Sequence, residues 1–90
     1  MKFEWDLNKS DATYTCRGFD FAFAAGIFDG PTVEIVDVRR DYQEVRIQAM
    51  GQTAGLVLIV VYTDRNNLRR IISARVASRK ERAQWLSLSA

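Results

Sequence analysis

The sequence predicts an α+β fold in the order β-α-α-β-β-β-β-α, an antiparallel sheet with its helices packed mainly on one side. Three observations carry this. Apolar spacing changes from helical to extended at Thr32. The run Leu56-Val-Leu-Ile-Val-Val-Tyr62 is apolar without a break, as a strand buried on both faces must be. Ser78-x-x-Glu81 then marks the start of a closing helix. With 90 residues, 48% of them hydrophobic, the chain is read as one domain spanning 1–90.

Phe3 to Trp5 reads as an edge strand. Asp6 caps a helix over Leu7 to Arg17, which Gly18 stops, with Leu7, Tyr14 and Ala12 as its buried stripe. Phe21, Ala24, Ala25 and Phe28 fall at i, i+3, i+4 and i+7 behind Asp20 as N-cap, giving a second helix that Gly30-Pro31 ends. The aromatic group Phe19, Phe21, Phe23 and Phe28 is read as core. Thr32–Val38 and Tyr42–Met50 are expected strands. Gly51–Gly55 is a hairpin loop into the central strand Leu56–Tyr62, and Asp64–Asn67 is a turn before the last strand, Leu68–Val76. The final helix begins at Ser78 and offers Ala83, Trp85 and Leu86 for burial.

Composition excludes much chemistry. There is no histidine and one cysteine, Cys16, so the histidine-based triads, the usual zinc ligands and an internal disulfide are all out of reach. No cofactor or metal is expected. Asp37, Asp41, Glu44 and Asp64 lack cation-ligand spacing and are read as solvated. The longest apolar run is too short to span a bilayer, and no apolar leader follows Met1, so a cytoplasmic chain with no membrane partner is expected.

The net charge of +2 is unevenly distributed. Residues 1–38 carry three basic and seven acidic side chains, whereas residues 39–90 carry ten basic and four acidic. Most of the excess is Arg65, Arg69, Arg70, Arg75, Arg79, Lys80 and Arg82, opposed in that stretch by Glu81. A run so rich in arginine, whose guanidinium fork matches phosphate oxygens, points to a polyanion; a solvated charged face is the plain alternative. Strict alternation along the last strand puts Arg69, Ile71, Ser73 and Arg75 on one face, and Leu68, Arg70, Ile72, Ala74 and Val76 on the other. Tyr62 and Trp85 have two readings, bases stacking on them or core packing.

Several stretches together resemble the BrnT toxins. They are Lys2-Phe-Glu-Trp-Asp6 with Asn8-Lys9, Gly18-Phe-Asp-Phe to Ile27-Phe-Asp29, Val60-Val-Tyr-Thr-Asp-Arg65, Arg70-Ile-Ile-Ser-Ala-Arg75 and Ala77-Ser-Arg-Lys-Glu-Arg82. The resemblance covers nearly the whole chain. It implies a ribonuclease toxin of a type II toxin–antitoxin pair with a fold related to the RelE superfamily. It also implies a BrnA-type antitoxin with a ribbon-helix-helix DNA-binding domain, a toxin–antitoxin heterotetramer, and contact with operator DNA only through the antitoxin. Two stretches depart from the family pattern. Cys16-Arg17-Gly18 stands where Lys-His-Gly is usual, and Ala74-Arg75-Val76-Ala77 where Ala-Arg-Lys-Ala is usual.

Arginine can stabilise a phosphorane without histidine, so the expected chemistry is attack of an RNA 2′-OH on the adjacent phosphate. The candidate catalytic residues are Arg65, Arg75 and Arg79 as a phosphate clamp, Lys9 as an added cation, and Glu81 as base or, alternatively, only as capping-box residue. Arg69, Arg70, Lys80, Arg82, Tyr62 and Trp85 are the candidate RNA-binding residues. The rival readings are a non-catalytic nucleic-acid-binding or corepressor module using the same basic strip, and a structural partner domain.

Overall fold

The computed structural model describes residues 1–39 and 43–89. The elements are β1 (Lys2–Trp5), α1 (Leu7–Arg17), α2 (Phe21–Ala24), a 3₁₀ turn (Ala25–Asp29), β2 (Val33–Val36), β3 (Ile47–Thr53), β4 (Leu56–Arg65), β5 (Leu68–Val76) and α3 (Arg79–Ser89). They form one five-stranded sheet in the order β1-β5-β4-β3-β2. β2 to β5 are antiparallel neighbours, but β1 pairs with β5 in parallel, so the sheet is mixed and not purely antiparallel. Hairpins dictate the antiparallel pairs. β1 has no hairpin partner, because the helices that follow it lead to β2 on the far edge of the sheet, and its direction is set by docking against β5.

The caps behave as their side chains demand. Asp6 Oδ1 accepts from the amides of Asn8 (2.8 Å) and Lys9 (3.2 Å), and Gly18 closes α1 at φ 84°. Asp20 accepts from Phe23 N–H at 2.9 Å. The second helix is shorter than its spacing suggests, because Phe21, Ala24 and Ile27 are all buried. That three-residue period suits a 3₁₀ turn, into which the chain passes at Ala25.

The glycines and turns lie differently from where residue spacing puts them. Gly51 lies inside β3, not in the hairpin loop. An added Cβ there would sit 2.8 Å from Ile27 Cβ, so glycine serves close approach between the sheet and the 3₁₀ turn. The turn itself is only Ala54-Gly55, at φ 47° and 81°, the positive values a two-residue hairpin needs. The next turn is likewise two residues, Asn66-Asn67 at φ 54° and 62°, which returns Asp64 and Arg65 to β4. β2 and β3 are also narrower than expected, and Asp41 and Tyr42 lie outside the described residues.

β4 is central and buried on both faces. Leu58, Val60 and Tyr62 meet Phe19, Phe21, Ala24, Ile27, Ala49, Ile71 and Ala74 on one side, beneath α1, α2 and the 3₁₀ turn. Val57 and Ile59 meet Ala77 and Trp85 on the other, so α3 packs on the opposite face. The phenylalanines are core as expected, with Phe23 and Phe28 packed at its rim. The helix stripes are not as expected. Ser10 is the buried residue of α1, its hydroxyl accepting from Phe21 N–H at 3.0 Å, while Leu7, Ala12 and Tyr14 are exposed. In α3, Trp85 is buried but Ala83 and Leu86 face solvent. Both helices are too polar to be placed by periodicity.

Candidate active site

A β-bulge decides where the arginines point. Val61 pairs with Ser73 but Tyr62 pairs with Ile71, leaving Ile72 as the extra residue of β5. Strict alternation therefore fails, and Ile71 and Ala74 share one core. Arg69 and Arg75, which alternation put on one face, lie on opposite faces of the sheet and near opposite ends of β5, roughly 20 Å apart at about 3.3 Å per residue.

At the Asn66-Asn67 end the arginines are paired with carboxylates. Arg69 donates from Nε and Nη2 to Asp64 at 2.9 Å each, and its guanidinium lies 4.0 Å from the Tyr62 ring centroid and 4.8 Å from that of Phe28. Arg70 reaches Glu4 at 3.3 Å and Arg65 approaches the same oxygen at 4.0 Å. Tyr62 is 4% exposed and donates to Glu34 at 2.5 Å. Burial and that carboxylate push its phenol pKa upward. Trp85 is 6% exposed and donates to Gln52 at 3.3 Å. Both rings are core residues with a bonded polar tip, so neither offers a free face for stacking as the structure stands.

At the other end, three arginines from distant segments surround one recess of about 130 Å³. Arg17 comes from the last turn of α1, Arg39 from the segment after β2 and Arg75 from β5, over Ile59 and Val61, with Gln48 and Ser73 as polar lining. Two of these guanidinium groups are held by carboxylates. Arg75 donates to Glu81 at 2.7 and 2.9 Å, and Arg39 donates to Asp37 at 2.8 and 2.8 Å. Asp37 is buried, which corrects its reading as a solvated carboxylate; Asp64 and Glu44 are also ion-paired.

Glu81 has a double engagement. Ser78 N–H donates to its Oε1 at 2.8 Å while Glu81 N–H donates to Ser78 Oγ at 3.1 Å, completing the capping box. The Arg75 hydrogen bonds, then that amide, hold its carboxyl well below the usual range, at about 2. A carboxylate so stabilised accepts a proton poorly near neutral pH, which favours the capping and positioning role over that of base.

Arg79, Lys80 and Arg82 stand exposed in the first turn of α3 and, among the described residues, carry no ion pair. Cations at a helix N-terminus oppose the macrodipole, so helix stability does not account for them. Lys9 is exposed on the first turn of α1, and among the described residues its ammonium has no ion pair. The structure thus groups Arg75 with Glu81 and sets Arg65 apart from them. Arg39 was missed by sequence reasoning; its one signal was the Arg39-Arg40 pair just beyond a predicted strand.

A mixed five-stranded sheet with an arginine-lined recess beside a basic helix end defines a small α+β protein with a basic surface at one end of its sheet. The family model for the ribonuclease toxin BrnT of type II toxin–antitoxin systems matches residues 5–81, and the chain belongs to that family. That membership brings an antitoxin as partner. A comparison with curated proteins returns no match. Among the described residues, no helix is long and apolar enough to cross a membrane.

Proposed function

We propose that this chain is an endoribonuclease that cleaves RNA without a metal ion, with the scissile phosphate in the recess of Arg17, Arg39 and Arg75. The observation that carries the reading is the convergence of those guanidinium groups from three segments on one small recess. In the proposed reaction the RNA 2′-OH attacks its own 3′-phosphate. The 2′-oxygen–phosphorus bond forms as the 5′-oxygen–phosphorus bond breaks, leaving a 2′,3′-cyclic phosphate and a 5′-OH. Arginines held in place before substrate arrives stabilise the extra negative charge of the phosphorane and supply the positive charge that a cation would otherwise bring. Glu81 is the positioning residue for Arg75. Arg79, Lys80 and Arg82 carry the RNA backbone along the α3 end, and Arg65, Arg70 and Lys9 lie outside the recess as backbone contacts. In the cell, cleavage inhibits translation and growth until a BrnA-type antitoxin binds, and the heterotetramer represses its own operon.

The experiment is induction of the chain alone in bacteria, with transcript 5′ ends mapped, beside the purified chain on RNA in EDTA. New 5′-OH ends, lost in an Arg75→Ala/Arg79→Ala variant and undiminished by EDTA, are the expected result. Absence of new ends with the wild-type chain overturns it. A binding module is the second reading, favoured by the lack of histidine and the low pKa of Glu81. It requires salt-sensitive RNA retention with no cleavage.

A further inference from the structure

The basic recess is one end of a longer trough on the α3 face of the sheet. Gln48 and Ile59 line both the recess and a neighbouring hollow of about 190 Å³. Val33, Met50 and Gln84 are shared in turn by that hollow and a third of about 600 Å³, which ends at Leu88. The character changes along its length, from guanidinium groups at Arg17, Arg39 and Arg75, the last bound to Glu81 on the wall of the middle hollow, to a mainly aliphatic stretch edged by Gln84 and Ser87. Val33 and Ile35 project from β2, the outer strand, at 38% and 62% exposure, and Leu88 from α3 at 65%. Lys80 stands on the rim of the apolar end.

An RNA chain gains little from aliphatic walls, and a second copy would bring the same arginines and Lys80 against their like. An occupant that matches both ends carries carboxylates followed by apolar side chains. We propose that this trough seats an acidic–apolar segment of the antitoxin, its apolar side chains on Val33, Ile35 and Leu88 and its carboxylates in the arginine recess. The silencing consequence rests on the reading of the recess as the RNA site, since the segment then excludes the phosphate; the docking itself does not. Apolar contacts supply residence time and the charges supply fast association.

The test is calorimetric titration of the purified chain with its cognate antitoxin, using Ile35→Glu/Leu88→Glu and the single variant Leu88→Glu. Leu7→Glu, an equally exposed apolar position on α1, is the control. The double variant is expected to lose at least thirtyfold in affinity and Leu88→Glu at least fivefold, while Leu7→Glu binds within twofold of wild type. RNA cleavage by the free variants stays at the wild-type rate, which shows them folded. Wild-type affinity in a variant with wild-type circular dichroism overturns the proposal, as does equal loss in Leu7→Glu. So does a wild-type dimer that the same substitutions dissociate, which would make the trough a seat for a second copy. A wild-type chain that binds antitoxin but cleaves no RNA overturns the proposed function and leaves the docking result standing.

Discussion

A guanidinium bound through two nitrogens to one carboxylate, as Arg75 is to Glu81, has little rotamer freedom left to lose when a phosphate arrives. Arg75→Ala is therefore expected to lower RNA cleavage by about 10²–10³-fold, the range for removal of a preorganised donor, with a stability loss of only about 1 kcal/mol from the broken ion pair with Glu81. Single-turnover kinetics beside a melting curve check this. Glu81→Gln acts differently. It keeps one acceptor for Ser78 N–H but loses the ion pair, and is expected to cost about 1 kcal/mol at neutral pH after solvent screening. The folded pKa of Glu81, about 2, lies below its ordinary value, so its contribution is present above about pH 4.5 and fades as pH falls toward 2. Urea melts from pH 7 to 2.5 should show the wild type and Glu81→Gln converging at the acid end. Arg17, Arg39 and Arg75 could not be grouped from sequence, because what joins them is a loop, a helix end and a bulge.

At the scale of elements, local chemistry and close packing divided the work. Asp6, Asp20, Ser78 and Glu81 do as caps what their side chains permit, since capping is a bond between near neighbours. Gly51 was legible as a glycine but not as a strand residue, because its reason lies in Ile27 across the core. Gly51→Ala is expected to destabilise the fold by about 1–3 kcal/mol through overpacking, measurable by chemical denaturation. The Asn66-Asn67 turn makes the converse case. Asn67 at φ 62° tolerates glycine, so Asn67→Gly should be neutral or slightly stabilising, whereas Asn67→Val should cost about 1–2 kcal/mol by the same measurement.

Over the whole molecule, the charge asymmetry becomes a spatial one. The Asn66-Asn67 end of the sheet neutralises its arginines with Glu4 and Asp64, whereas the α3 end leaves Arg79, Lys80 and Arg82 to solvent. RNA affinity should therefore fall steeply with salt, the slope dropping by about 0.7 for each phosphate contact removed. Arg79→Ala is expected to reduce that slope, and Arg69→Ala, whose guanidinium is bound to Asp64 and stacked on Tyr62, to leave it unchanged while costing stability. Filter binding across a salt series checks both.

By itself the sequence determined the α+β class, the central strand, the caps, the absence of histidine chemistry and the arginine excess of residues 65–82. Each depends on residue type or on spacing within a few positions. The tertiary structure alone decided the parallel pairing of β1, the bulge at Ile72, and the meeting of Arg17, Arg39 and Arg75 at one recess. Those depend on contacts between residues far apart in the chain, where one extra residue in β5 sends Arg69 and Arg75 to opposite faces of the sheet.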